Sequence, residues 1–261
     1  MAAAQPLTQP RPSSAALEVR SLTGPVGAPM LHDVSIAVPH GRTHLVLGPI
    51  HSGKSLLLRH IVGLECAEHG TIVVDGESYD ATGESEAVLR RMRTRLGVVF
   101  EGSALLTRLS VLENVELPLL EHTAATAEEA RDAARELLAE VGLLLEVDLT
   151  PLQLGRLERR RVALARALAL RPPIVLLDEP THGLDSHSAQ LFDDTVARLQ
   201  DEEGFALMIF SHEVRHAYGR AEQVSVLSDG HVVEQGPREA LLESDHEVIR
   251  RLLRRRVRER A

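Results

Sequence analysis

The most specific chemistry in the chain lies in eight residues, Gly48-Pro49-Ile50-His51-Ser52-Gly53-Lys54-Ser55. Their spacing, G-x-x-x-x-G-K-S, is that of a loop that wraps phosphate. Gly48 and Gly53 let the backbone curl so that successive N–H groups point at phosphate oxygens. A helix beginning at the loop's end adds unpaired N–H groups and its positive dipole end. Lys54 is spaced to reach the β- and γ-phosphates, and Ser55 to offer a hydroxyl to Mg²⁺. Among 29 Lys plus Arg residues, Lys54 is the single lysine. The chain uses the planar guanidinium elsewhere and keeps the compact ammonium where a point contact to phosphate is needed.

Two further groupings fit phosphoryl transfer. Ile174-Val175-Leu176-Leu177-Asp178-Glu179 is an apolar run ending in two carboxylates. A buried strand would deliver both at its C-terminal end, where α/β folds bind ligands. Asp178 then suits holding Mg²⁺ through water, and Glu179 suits a general base for the attacking water. The strand 206–210 delivers Ser211-His212, and His212 can hydrogen-bond the γ-phosphate or that water. The other twelve of the 13 histidines carry no assigned role. A competing reading sits on the same residues, because His212-Glu213-Val214-Arg215-His216 spells H-E-x-x-H. A zinc site of that kind needs both histidines inside one helix and a third ligand downstream. His212 directly follows a buried strand and no such ligand stands out, so the zinc reading is set aside.

These groups require elements to hold them. The apolar run 43–47 before the loop reads as a buried strand and 56–62 after it as a helix. Residues 16–20 and 30–38 read as strands around a Gly/Pro-rich turn at 24–29, with another strand at 70–76, which together suggest a small antiparallel layer. A charged helix over 84–93 and a short strand over 96–100 follow. Residues 110–170 read as nearly continuous helix, broken near Pro118, Thr123 and Thr150-Pro151. Buried strands return at 174–177 and 206–210. Residues 223–227 and 231–233, joined by Ser228-Asp229-Gly230, read as a closing hairpin. A last helix over 247–260 puts Ile249, Leu252, Leu253 and Val257 on one face and Arg250, Arg251, Arg254, Arg255 and Arg258 around the rest. Its basic face could meet anionic lipid headgroups or a partner, though a solvated helix end is the plainer reading.

Composition narrows the class. The 261 residues suffice for one large core or two joined subdomains, and 44% hydrophobic with 26% charged residues is globular. A net charge of −9 does not favour nucleic acid. Cys66 is the only cysteine, which excludes an internal disulfide. No apolar run approaches the roughly 18 residues needed to cross a bilayer. Residues 1–14 read as a disordered lead-in rather than a signal peptide, and a cytoplasmic location is expected.

In this order the motifs resemble the nucleotide-binding subunits of ABC transporters over residues 16–245. Gly48 to Ser55 resembles the Walker A motif, Ile174 to Glu179 Walker B, Gly183-Leu184-Asp185 the D-loop, and His212 the switch histidine. Leu112-Glu113-Asn114-Val115-Glu116-Leu117-Pro118-Leu119-Leu120-Glu121-His122-Thr123, with Arg59-His60-Ile61-Val62-Gly63-Leu64, resembles the ATPases of Mla-type lipid transporters. The resemblance implies a P-loop α/β core with an antiparallel β layer and an inserted helical subdomain at about 101–170. The nucleotide-binding domain would span 15–245 and a basic C-terminal helix 246–261. It implies ATP and Mg²⁺ as ligands, with Asp185 at the nucleotide. It also implies a head-to-tail dimer with ATP between subunits, on the cytoplasmic face of a membrane permease. An extracytoplasmic, lipid-binding MCE-type protein would complete the system.

Three departures qualify the resemblance. Glu101, after Phe100, stands where the family has a glutamine; its carboxylate could still ligate Mg²⁺, while adding negative charge near the γ-phosphate. The first aromatic in the chain is Tyr79, so adenine cannot stack on an aromatic of the N-terminal strands. The family's L-S-G-G-Q signature falls on Leu154-Gly155-Arg156-Leu157-Glu158, anchored by Arg161-Val162-Ala163-Leu164-Ala165-Arg166-Ala167-Leu168. In the family that loop serves the nucleotide of the other subunit. A chain with this variant is therefore expected to work best beside a different ATPase subunit, a heterodimer rather than a homodimer.

Overall fold

The structure, a computed structural model, describes residues 15–24, 31–214, 219–241 and 243–258, without the side chains of 253–258. Two sheets organise it. Strands β1 (Ala15–Thr23), β2 (Val34–Pro39), β4 (His69–Val74) and β5 (Glu77–Asp80) form an antiparallel sheet in the order β2-β1-β4-β5. The second sheet has the order β10-β9-β3-β8-β7-β6. It contains β3 (Thr43–Leu47), β6 (Leu96–Val99), β7 (Ile174–Asp178), β8 (Ala206–Ser211), β9 (Gln223–Ser228) and β10 (His231–Pro237). Its neighbours from β9 to β6 run parallel, and β10 returns antiparallel.

Every residue of β3, β7 and β8 is buried, as strands covered on both faces require. Their side chains divide with a period of two. Leu45, Leu47, Val175, Leu177, Leu207 and Ile209 pack into one apolar cluster. Val46, Ile174, Leu176, Met208 and Phe210 pack into the other, against the antiparallel sheet and α1 (Lys54–Ile61). At roughly 1.5–3 kcal/mol for each large apolar side chain taken from water, this two-sided burial fixes the strand register and therefore where the strand ends point. The β9–β10 turn is Asp229-Gly230, both at positive φ (48° and 77°), as a two-residue hairpin needs.

After α2 (Glu86–Arg93) come α3 (Val111–His122), α4 (Ala127–Glu140) and α5 (Arg156–Leu168), followed later by α6 (Ser186–Glu203). Two features differ from the sequence expectation. Pro118 lies inside α3 rather than breaking it. The lost backbone bond costs on the order of 3 kcal/mol, offset by a Ser110–Glu113 capping box and by burial of Val111, Leu112, Val115 and Leu119. Residues 141–150 are not helical. Gly142, at φ 78°, ends α4 with Gly142 N–H donating to Ala139 and Leu143 N–H to Leu138, a glycine C-terminal cap. The chain then runs beside the start of α3, where Leu149 and Val147 carbonyls accept from the Val111 and Leu112 N–H groups. Those are helix-start donors that the helix itself cannot satisfy.

At the C-terminus, α7 (Arg238–Leu241) precedes α8 (Glu247–Arg258). Ile249 and Leu252 of α8 are buried in the first cluster, and Arg250 and Arg251 are exposed. The side chains of Leu253, Arg254, Arg255, Val257 and Arg258 lie outside the described residues. No helix among the described residues is long and apolar enough to cross a membrane.

Candidate functional site

The phosphate-type loop joins β3 to α1 at the C-terminal edge of the parallel sheet. A Cβ on Gly48 would lie 2.2 Å from the Leu227 carbonyl oxygen and 2.6 Å from Ser52 Oγ, so no side chain fits there. Gly53, the residue preceding α1, sits at φ 106°, a conformation that favours glycine. Gly48 N–H donates to Ser211, and Gly230 N–H to Ser52, which tie the loop to β8 and to the hairpin turn. The Lys54 side chain is buried, and Nζ donates to the Gly48 and Pro49 carbonyls, each at 2.9 Å. Glu179 Oε1 stands 3.8 Å from Nζ. Burial holds the ammonium's pKa below the usual lysine range, against the opposing pull of Glu179 and Asp178.

At the end of β7, Asp178 is buried and its pKa is pushed up to about 6, first by burial and then by Glu179 and Glu101, with Lys54 and Arg160 acting the other way. Its Oδ1 is buried with no partner among the described residues, and so is Ser52 Oγ. Glu179 adopts φ 44°, outside the regions an L-residue prefers. It is held there by its N–H bond to the Phe210 carbonyl (2.9 Å). Its carboxylate accepts from Ser211 Oγ (3.2 Å) and the His212 N–H (3.0 Å). The His212 ring approaches it with Nδ1 at 2.9 Å. A carboxylate only accepts, so Nδ1 carries the proton, and Nε2, 3.8 Å from Glu213 Oε1, is the ring nitrogen not bound to Glu179. His212 lies just beyond β8; His216, the second histidine of the zinc reading, is outside the described residues.

A cavity of about 430 Å³ is lined by Ile50, His51, Ser52, Gly53, Lys54, Ser55, Glu101, Glu179 and His212, together with Leu56 and His182. Four residues singled out from the sequence do not line it. Gly48 and Pro49 face Lys54 through their carbonyls, Asp178 lies buried behind, and Asp185 caps α6. Its carboxylate accepts from the His187 and Ser188 N–H groups, which draws its pKa down, the Ser188 hydroxyl contributing most.

His182 was missed by sequence reasoning. Its Nδ1 lies 2.8 Å from Glu101 Oε1, and its ring meets that of His212 edge to face at 5.5 Å. Its position three residues after Glu179, in the loop leaving β7, was the available signal. Glu101 and His182 also line a second cleft of about 300 Å³ with Arg156, Arg159 and Arg160. The variant loop lies beside it. Arg156 donates to the carbonyl of Gly183 in its own chain at 2.7 Å, and Leu157 packs partly buried against the core.

Residues 31–182 match the family described as ABC transporter. Methionine import ATP-binding protein MetN 1 of Rhodococcus jostii is 38% identical over 235 residues, covering 88% of this chain and 69% of its own. The probable ribonucleotide transport ATP-binding protein mkl of Mycobacterium leprae is 35% identical over 243 residues, covering 93% and 70%. Among solved structures, the fold is similar to the ATP-binding cassette MJ0796, seen as a dimer in a post-hydrolysis state with ADP and Pi. The TM-score is 0.75 at 30% identity, over 85% of this chain and 98% of that one.

Proposed function

The chain belongs to the ABC transporter family as an ATP-binding, ATP-hydrolysing subunit, and we propose that its cavity holds the ATP phosphates with Glu179 as the general base. The observation that carries this reading is the convergence of the Lys54 loop, Glu179 and His212 on one cavity of about 430 Å³. The residues also fit a metal-bound nucleotide. Buried Ser52 Oγ and Asp178 Oδ1 lack partners among the described residues, and Gly48 leaves its backbone bare. Ser55, Glu101 and Asp178, the last through water, would hold Mg²⁺, which when bound neutralises charge on the β- and γ-phosphates.

In this reading Lys54 moves from the loop carbonyls onto the phosphate. Glu179 takes a proton from water as the water oxygen bonds to the γ-phosphorus and the bond to the ADP oxygen breaks. His212, held by Glu179 through Nδ1, orients that water or the γ-phosphate through Nε2. Glu179→Gln is expected to retain ATP binding while turnover falls by about 10²-fold or more. Unchanged turnover would assign the base to another group.

The subunit would dock on an integral membrane permease at the cytoplasmic face. The residues of α3 that resemble Mla-type ATPases support a phospholipid or other lipid cargo, with an extracytoplasmic MCE-type protein as partner. Affinity purification from membranes identifies the partners; a permease with an amino-acid-binding protein would replace the lipid reading. A second reading, a hydrolysis-poor subunit in a heterodimer, is favoured by one contact. Arg156 is turned onto Gly183 of its own chain, where the resemblance implies that the loop should serve the other subunit's nucleotide.

A further inference from the structure

The phosphate end of the cavity contains two carboxylate–imidazole couples, not one. Glu179 is held by His212 at 2.9 Å and Glu101 by His182 at 2.8 Å, and the two rings touch edge to face. Glu101 Oε1 is occupied by His182; Oε2 has no protein partner among the described residues, and the residue lines the nucleotide cavity. The backbone beside Glu101 is clamped from α5. Arg160, itself buried, donates to the Phe100 carbonyl at 2.7 Å, and Arg166 donates to the Ser103 and Ala104 carbonyls at 3.0 and 2.8 Å.

Charge gives this arrangement a purpose. Glu101, Asp178 and Glu179 bring three carboxylates to the site, and Glu101 and Glu179 both act on Asp178. Lys54 and Arg160 are the buried cations that answer Asp178. The glutamate adds a third anion, and His182 is the donor placed on it.

We infer that His182 is a positioning residue for Glu101: by donating from Nδ1 it orients the carboxylate, so that Oε2 can serve as an oxygen ligand at the metal–phosphate end of the nucleotide. The inference rests on the proposed metal-ligand role of Glu101. It assigns a function to a histidine that neither the phosphate loop nor the catalytic carboxylates account for.

The test is equilibrium titration of the full chain with a fluorescent ATP analogue, with and without Mg²⁺. The variants are His182→Ala, His182→Asn, Glu101→Gln and the double Glu101→Gln/His182→Ala. Loss of an outer partner of a metal ligand commonly weakens metal binding by about 10-fold or more. His182→Ala is expected to weaken Mg²⁺-dependent binding by about that factor and to leave metal-free binding within about twofold. His182→Asn, whose amide N–H overlays Nδ1, should recover most of the loss. In the Glu101→Gln background, removing His182 should have no further effect. Equal weakening with and without metal, no effect at all, or the same loss in both backgrounds would overturn the inference. A wild-type chain that binds Mg²⁺ and ATP without any dependence of one on the other would instead overturn the ligand role of Glu101 on which it rests.

Discussion

The segments 48–55 and 154–158 each run from a loop into the first turn of a helix, and they differ in what their side chains do. Around the first, Ser52 Oγ and Asp178 Oδ1 are buried without partners among the described residues, and a Cβ at Gly48 would collide with backbone. Around the second, Arg156 and Leu157 are taken up by their own chain. Arg156 bonds Gly183, Leu157 packs on the core, and the Glu158 carboxylate lies where a Gly155 side chain would be. Native chains rarely leave buried polar atoms unpaired, and these two lie beside Lys54 and the bare Gly48 backbone, where a phosphate would supply the missing partner. An Arg156 held on Gly183 of its own chain is turned away from another subunit's phosphate.

The sharpest way to break this comparison is at Lys54. The ammonium fits between two carbonyls at 2.9 Å in a buried setting. Lys54→Ala should lower ATP affinity by about 10²-fold or more, the order expected for removing a charge-assisted phosphate contact. Lys54→Arg should also impair binding, because a planar guanidinium does not fit that point contact. Nucleotide titration with both variants checks this; wild-type affinity in both would remove Lys54 from the phosphate site.

The second loop is tested by restoring the family residues. Gly155→Ser with Arg156→Gly frees the loop from Gly183 and supplies a hydroxyl, and turnover of the isolated chain should rise several-fold. Adding Leu157→Gly restores the second glycine of the family pattern but removes a side chain packed on the core and puts a further glycine in the first turn of α5. The two losses together cost on the order of 2–3 kcal/mol, so the triple variant should show a lower Tm whatever it does to turnover. Brisk activity of the unchanged chain, lowered by the double variant, would show that the loop works as it stands.

Asp178 sharpens the claim that the first loop's surroundings are held at a cost. Its pKa is pushed up to about 6, so the folded chain binds this proton more tightly than the unfolded chain. Stability from this group therefore falls as pH rises from the ordinary carboxylate value through about 6. Buried His44, lowered to about 4 mainly by burial, acts oppositely: its contribution is lost as pH falls from the ordinary histidine value toward 4. The two windows overlap, so the informative quantity is the difference between wild type and Asp178→Asn. The variant should gain about 2–4 °C in Tm above pH 7, the shift that about 1 kcal/mol produces in a chain of this size, and almost nothing near pH 4. A gain independent of pH would mean that the cost is not electrostatic.

Sequence reading reached what local spacing controls. The Lys54 loop between strand and helix, and Asp178-Glu179 and Ser211-His212 at strand ends, follow from short motifs whose geometry is set by a few neighbouring residues, whereas β5 and α6 were not anticipated. It did not reach what packing decides. Pro118 inside α3 depends on a buried helix face, and the extended run after Gly142 depends on unpaired N–H groups at the start of α3. His182 acquires its partner from a residue 81 positions away, and nothing in its own neighbourhood announces Glu101. Asp185 shows the converse limit: a position matched to the family's motif is, within this chain, the cap of α6.

The smallest effect isolates the second loop's structural part from any catalytic one. Gly155 occupies the N-cap of α5 with φ −69° and ψ 176° and has no side chain to accept from the helix. Glu158 stands at the third helical position, as glutamates do in the capping boxes of α3 and α4. There the Ser110 and Thr126 hydroxyls accept from the N–H groups of Glu113 and Glu129, whose carboxylates accept from the cap N–H at 2.7 and 2.8 Å. Gly155→Ser should create another such box. The new Cβ would lie 2.3 Å from Glu158 Oε2, but that atom ends a flexible side chain, which can swing to the cap N–H. Replacing glycine by serine at an N-cap is worth only a few tenths of a kcal/mol, and the reciprocal bond from Glu158 adds to it. A Tm increase of about 1–2 °C is therefore expected, abolished when Glu158→Ala is added. If Gly155→Ser raises turnover without changing Tm, the hydroxyl acts on nucleotide rather than on the helix. The contrast between a loop built for a ligand and one satisfied by its own chain would then rest on Arg156 alone.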